Sequence, residues 1–253
     1  MHKKMRKALF GTISAFALVA GILGSGINAK AADIAINKTN FPDGQFRSYI
    51  EEKIDKDENQ VLSEEEIAAA TKIDLEGITV KDLTGLKYFT NLKKFTTNSN
   101  RLKTADFSGM NSLESLNITD STLTSIDITD CDNLKEVTAI YWGQSGFGTL
   151  KEIVGAQSCD NLEELNVKWQ GFETLDLSGC KALKHLNCNS NKLDSLDVSD
   201  CTSLKTVDCG KNQLTSLKVS GCSKLEKLDC YDNELSSLDV SGLGSLKTLH
   251  CYN

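Results

Sequence analysis

A single proline stands in 253 residues. That scarcity excludes a proline-rich linker or a stiff extended stalk, both of which need proline to stay open. Histidine is almost as rare, and only His185 and His250 lie beyond the first few residues. No G-x-S-x-G, H-E-x-x-H or Cys–His neighbourhood occurs, and no C-x-x-C pair offers a metal knuckle. An L-P-x-T-G sorting signal is also missing. Beyond residue 31 no apolar run is long enough to span a bilayer.

The first 31 residues read as a leader. Lys3, Lys4, Arg6 and Lys7 form a basic start, an apolar stretch runs from Ala8 to Ile27, and Ala29-Lys30-Ala31 supplies a small-x-small cleavage site. A signal peptide over 1–31 is the expectation, with a retained membrane anchor as the other reading. No cysteine follows the cut, which argues against a lipid anchor. The leader takes away five of the 28 basic residues and none of the 35 acids, leaving 23 against 35, a net charge of −12. A field of that sign repels phosphate backbones, so nucleic acid is not an expected partner.

What is present in abundance is repetition. Leu183 opens L-K-H-L-N-C-N-S-N-K-L-D-S-L-D-V-S-D-C, and the same offsets return from Leu204 and Leu225 and begin again at Leu246. Further units open at Leu92, Leu113, Leu134 and Leu162, spaced by 21 residues except for the Leu134 unit, which takes 28. A first, shorter unit is read from Ile73. Fixed apolar offsets in a unit of this length mark a solenoid whose coils share one core. The pattern L-x-x-L-x-C-x-x-N-x-L resembles the leucine-rich repeat, with cysteine in the third apolar slot. The fold expected is therefore an α/β solenoid: short parallel strands, extended or 3₁₀ returns, and a helical cap at the N-terminal end. The domains are a leader (1–31), a cap (32–71) and the repeats (72–253), the last one incomplete.

Asn191, Asn212 and Asn233 form a column able to bond neighbouring turns; Asn100 fits it, while Ser121, Trp142 and Gln170 depart from it. The nine cysteines fall in two columns, Cys188/209/230/251 and Cys131/159/180/201/222. Strands about 4.8 Å apart, with parallel side chains, fit poorly with the Cβ separation of about 3.8 Å in a disulfide. Small core thiols are the favoured reading, with disulfides as the alternative. His185 and His250 stand three repeats apart, about 14 Å along such a stack, so a shared catalytic role is excluded and no enzyme is expected.

In the cap, Phe41-Pro42-Asp43 opens a helix with Phe46, Tyr49, Ile50 and Ile54 on one face. Ser63 and Glu66 fit a capping box for a second helix, whose face is continued by Ile67, Ala70 and Ile73. Between them, Asp55, Asp57, Asn59, the Val61 carbonyl and Glu66 stand at positions 1, 3, 5, 7 and 12 of an EF-hand loop, a candidate Ca2+ site. Gln60 occupies position 6, where glycine is expected. The alternative is a cap of EF-hand shape that binds nothing.

This segment, F-P-D then a helix pair then L-x-x-L repeats, resembles the cap of bacterial internalins. From about Ile36 to Asn253 the chain is similar to secreted, internalin-like leucine-rich repeat proteins. That resemblance implies a metal-free cap and a binding role outside the cell. Internalins mostly have 22-residue units and wall anchors, and this chain has neither feature. The expected function is a secreted or cell-surface, non-enzymatic binding module with a protein or glycan ligand on the concave strand face. Tyr141, Trp142, Trp169, His185 and Tyr231 are the candidate contacts, since aromatics anchor interfaces and stack on sugars. The other expectation is an N-terminal targeting part of a longer secreted protein, with an effector, enzyme or anchor domain beyond Asn253.

Overall fold

The structure, a computed structural model, describes residues 33–252 apart from 99–100, 120–121 and 144–145. The expected leader, Asn100 and Ser121 lie outside the described residues. One face of the repeats carries a nine-stranded, wholly parallel sheet running from Lys72–Leu75 at one end to Thr248–His250 at the other. Successive strands are offset by 21 residues, as in Glu164↔His185, His185↔Thr206 and Thr206↔Lys227. The pairing Glu136↔Glu164 carries the 28-residue step.

The chain alternates in and out because strand side chains have a period of two. Leu165, Leu186, Val207 and Leu228 point into the core at 0–2% exposure, while Glu164, His185, Thr206 and Lys227 face outward. Most strands hold three residues because a left-handed residue follows shortly after. Trp169, Ser190, Lys211 and Asp232 all have φ between 51° and 58°. A non-glycine residue there costs about 1–2 kcal/mol, and the turn it makes is repeated from coil to coil.

Side-chain amides hold that turn. Asn212 Nδ2 donates to the carbonyls of Cys188, Cys209 and Gly210 at 3.0–3.3 Å, and its Oδ1 accepts from Leu193 N at 3.0 Å. Asn191 and Asn233 repeat the arrangement. Gln170, read from the sequence as a break in this column, takes the same place. Its Nε2 donates to Ala139 O at 2.9 Å and its Oε1 accepts from Leu150 N at 3.2 Å. The longer side chain spans the longer coil.

The returns are extended as well as 3₁₀. Thr104–Asp106, Ser125–Asp127 and Glu152–Val154 form a second parallel ladder, and Ser195–Asp197 pairs with Ser216–Lys218. Single 3₁₀ turns occur at Leu86–Tyr88 and Ala156–Ser158. Cross-coil ion pairs such as Lys184–Glu163 (2.7 Å) and Lys247–Glu226 (2.6 Å) lie in solvent, where each contributes about 0–1 kcal/mol.

At the N-terminal end, α1 (Gly44–Lys53) is capped by Asp43, whose Oδ1 accepts from Gln45 N and Phe46 N at 2.9 Å. Its Oδ2 accepts from Lys81 N of the first coil at 2.8 Å, and Tyr49 OH accepts from Asp74 N at 3.0 Å. These bonds dock the helix on the repeats. Phe41, Phe46 and Ile50 are fully buried in the same continuous core as the leucines. The second helix, α2 (Glu64–Ala69), begins with the Ser63/Glu66 capping box.

Two boundaries differ from the sequence reading. Ile73 does not continue α2: a turn at Ala70–Thr71 ends the helix, and Ile73 lies in the first strand. The first coil is one residue longer than the regular 21-residue coils, not shorter, with Ile73↔Phe95 a 22-residue step. Ile73 had been aligned with the unit-opening leucines, whereas it matches the buried residue at the strand centre.

Candidate functional site

The outward side chains of the main sheet make a shallow groove of about 310 Å³, lined by Glu164, Asn166, His185, Asn187, Thr206, Asp208, Lys227 and Asp229. His185 is half-buried and its Nδ1 lies 2.8 Å from Thr206 Oγ1. Asp229 is the anchor of the next rows: Lys227 Nζ stands 2.7 Å from one oxygen and His250 Nδ1 2.6 Å from the other. Asn189 Nδ2 donates to Asp208 Oδ1 at 2.8 Å and to Tyr231 OH at 3.0 Å, across two coils. Gly210 makes that reach possible, because a Cβ there would lie 2.6–2.9 Å from the Tyr231 ring. Tyr252 stacks on Tyr231 with centroids 5.5 Å apart. Among the described residues neither histidine is bonded to both a hydroxyl and a carboxylate: His185 meets Thr206 and His250 meets Asp229.

The five candidate contacts do not form one cluster. Trp142 and Trp169 meet edge to face at 5.3 Å, with Tyr141 beside them, just past the C-terminal ends of the strands Glu136–Thr138 and Glu164–Asn166 in the middle of the sheet. His185 lies in the groove itself, and Tyr231 belongs to the network with Asn189. Sequence reasoning passed over Asn189 and Gly210 and read Gln170 as a departure from the asparagine column. Only Gln170 left a signal, an amide side chain at the offset of the asparagine column.

The cysteines occupy two inward columns, all free and all buried except Cys251. Thiols of the second column donate to main-chain carbonyls of the preceding coil, as in Cys131 to Phe107 O at 3.1 Å and Cys222 to Val198 O at 3.2 Å. Burial disfavours the thiolate. It pushes Cys131, Cys180, Cys222 and Cys230 up to about 11 and Cys159 and Cys201 up to about 12, from an ordinary 9.0. Cys188 and Cys209 are raised further still.

In the cap loop, carboxylate oxygens of Asp55, Asp57 and Glu66 lie within 4.8 Å of one another, a set of hard oxygen donors able to coordinate a divalent cation. Asp55 is buried and organises the loop, accepting from Asn59 N at 3.2 Å and Gln60 N at 2.9 Å. Asn59 Oδ1 accepts from Val61 N at 2.7 Å. Gln60 adopts φ 64°, the conformation for which glycine is preferred. Both Glu66 oxygens are engaged, one by Lys56 N at 2.6 Å and the other by Ser63. Burial works to raise the Glu66 carboxyl, but the Ser63 and Lys56 N–H groups outweigh it and hold it below its usual range.

Such a stack, with one parallel strand per coil and amide rungs at Gln170, Asn191, Asn212 and Asn233, has the form of a leucine-rich repeat solenoid like that of the bacterial internalins. The functional domain of InlJ from Listeria monocytogenes, described as including a cysteine ladder, superposes with a TM-score of 0.74 at 28% identity, covering 88% of this chain and 48% of that one. Internalin C2 of the same organism matches at 0.61 and 16% identity over 88% of this chain and 98% of its own, and InlP at 0.64 and 18% over 85% and 65%. The chain thus spans about half the length of the InlJ domain. No family model and no curated protein matches the sequence. Among the described residues no helix is long and apolar enough to cross a membrane.

Proposed function

We propose that this chain is a secreted or cell-surface binding module, without enzymatic activity, that engages a protein ligand through the outward face of its nine-stranded sheet. The observation that carries the reading is the groove around His185. It is lined by polar side chains held in place by one another, and preorganised polar groups on rigid strands lower the cost of binding. Trp142, Trp169 and Tyr231 flank it as aromatic anchors. An array of extracellular proteins and glycans, probed with the wild-type chain and with a His185→Ala, Asp208→Ala, Lys227→Ala variant, tests this. Binding to a protein that falls at least tenfold in the variant is expected. Ligands that survive these changes but are lost on altering the opposite ladder at Ser195–Asp197 sink the proposal.

The cap loop is proposed as a Ca2+ site that stabilises the N-terminal end. Its support is the convergence of Asp55, Asp57 and Glu66, with Asn59 and the Val61 carbonyl completing the loop pattern. For bidentate binding, Glu66 must release the backbone groups it now accepts from, which places affinity at the weak, extracellular end, about 10⁻⁴–10⁻³ M. Calorimetric titration of Ca2+ should show binding and a rise in melting temperature, both abolished by Asp55→Ala with Glu66→Ala. Absence of heat, with an unchanged melting curve, leaves a cap held by hydrogen bonds alone.

A further inference from the structure

Two rows of side chains, one residue apart along each coil, treat charge in opposite ways. At the entrance to the strands acids are matched by lysines from neighbouring coils. Lys93 and Lys135 both reach Glu114, at 3.1 and 3.4 Å, Lys184 reaches Glu163 at 2.7 Å, and Lys247 reaches Glu226 at 2.6 Å. The next residue of each coil faces outward on the main sheet, and there Glu136 and Glu164 are direct register partners on adjacent strands. Both are exposed. Their backbones lie about 4.8 Å apart, and like charges directly opposite one another destabilise a sheet.

The face leaves that pair without a counter-charge. Among the described residues neither carboxylate has an ion pair, and Glu136 accepts only from Ser115 Oγ, at 3.2 Å. The cations of the adjoining rows are engaged elsewhere: Lys135 with Glu114, Lys184 with Glu163 and Lys227 with Asp229. His185, beside Glu164 in the same row, turns its Nδ1 to Thr206. Two strands further on, Asp208 accepts only from neutral donors, Asn189 Nδ2 and Gly210 N. Three carboxylates without a cation thus stand within four consecutive strands, a span of about 14 Å. The amides of Asn166 and Asn187 line the same groove.

We propose that the middle of this face is the seat of an arginine-bearing segment of a partner protein. A guanidinium is planar and carries five donors in a fixed fork, so one arginine bridges Glu136 and Glu164 and a second reaches Asp208. This rests on the binding-module reading and names the partner's chemistry in the same groove. A bare divalent cation fits less well, because it needs several oxygens around one point. Among the described residues only the cap loop brings three or more metal-binding side chains together.

Calorimetric titration of the whole chain with three peptides tests this: alternating arginine and serine, the same with lysine for arginine, and the same with glutamate for arginine. Saturable binding of the arginine peptide is expected, about threefold weaker with lysine and absent with glutamate. Glu136→Gln with Glu164→Gln should weaken the arginine peptide about tenfold. Glu51→Gln with Glu64→Gln, which removes the same charge from the cap, should leave it within about twofold. Glu136→Arg with Glu164→Arg should make the glutamate peptide the tighter of the two, which a merely unfolded variant cannot do. No binding of the arginine peptide, equal binding of the lysine peptide, or equal losses from the two glutamine pairs overturns the proposal. If His185→Ala, Asp208→Ala, Lys227→Ala abolishes binding and Glu136→Gln with Glu164→Gln does not, the arginine seat fails while the binding module stands.

Discussion

Raising the pH from 9 towards 11 should unfold the protein, with a midpoint at about pH 10–11. Folding holds the buried thiols protonated, so their folded values lie above the ordinary 9.0, at about 11 for Cys131, Cys180, Cys222 and Cys230 and about 12 for Cys159 and Cys201. For an acid whose folded value is raised, the folded state binds more protons than the unfolded state between the two values. Stability is then intact below pH 9 and falls as pH climbs through the window up to the folded value. The loss is about 1.4 kcal/mol per thiol for each pH unit. Six such thiols together remove several kcal/mol by pH 11, a large part of the whole stability of a domain. Circular dichroism against pH measures this directly. Replacing Cys159 and Cys201 with valine, an apolar residue in a slot that Met110 and Leu243 fill in other coils, should move the midpoint upward. A midpoint unmoved by that pair of substitutions assigns the alkaline transition to lysine and tyrosine instead.

Asn212→Ala should be the most damaging single truncation of a polar side chain in the repeats. It strands Leu193 N–H and takes one of two side-chain donors from each of the carbonyls of Cys188 and Cys209, which Asn191 and Asn233 still reach, all in the buried core. The unpaired N–H costs about 1–3 kcal/mol and each lost bond to a still-paired carbonyl about 0.5–1.5 kcal/mol, so a total of about 2–4 kcal/mol is expected. At about 2–4 °C per kcal/mol for a chain of this size, melting falls by roughly 4–16 °C. Asn212→Gln should lose less, because Gln170 shows that the longer amide can occupy this slot with its own set of main-chain bonds. Lys211→Ala, one residue earlier and exposed, should change melting by no more than a degree or two. Equal losses for Lys211→Ala and Asn212→Ala would mean that the amide column contributes nothing specific.

The repeats were legible because each coil states its own core. Leu183, Leu186, Cys188, Leu193, Leu196 and Val198 were assigned to the interior from spacing alone, and all are buried to 2% exposure or less. The capping box at Ser63 and Glu66 was equally direct, since its signal is local. The first coil was misaligned because α2 replaces its opening leucine with Ala70, so the one cue that sets the register is missing. The site was far less legible. Trp142 and Trp169 meet, but His185 and Tyr231 lie in separate arrangements, and what connects Tyr231 to the groove is Asn189 reaching over Gly210. Contacts that skip a coil leave no mark in a 21-residue period.

The central claim is a single stacked core in which the cysteines are buried thiols and the main sheet is left free for recognition. Counting thiols in the native and the denatured chain tests it most directly. With a small alkylating reagent at pH 8, Cys251 alone of the nine should react in the native protein, because it is the one exposed thiol and burial suppresses the reactive thiolate of the others. All nine should react once the chain is denatured without reductant. Fewer than nine after denaturation would show disulfides, and several labelled in the native state would place the cysteine columns outside the core, contradicting the stack itself.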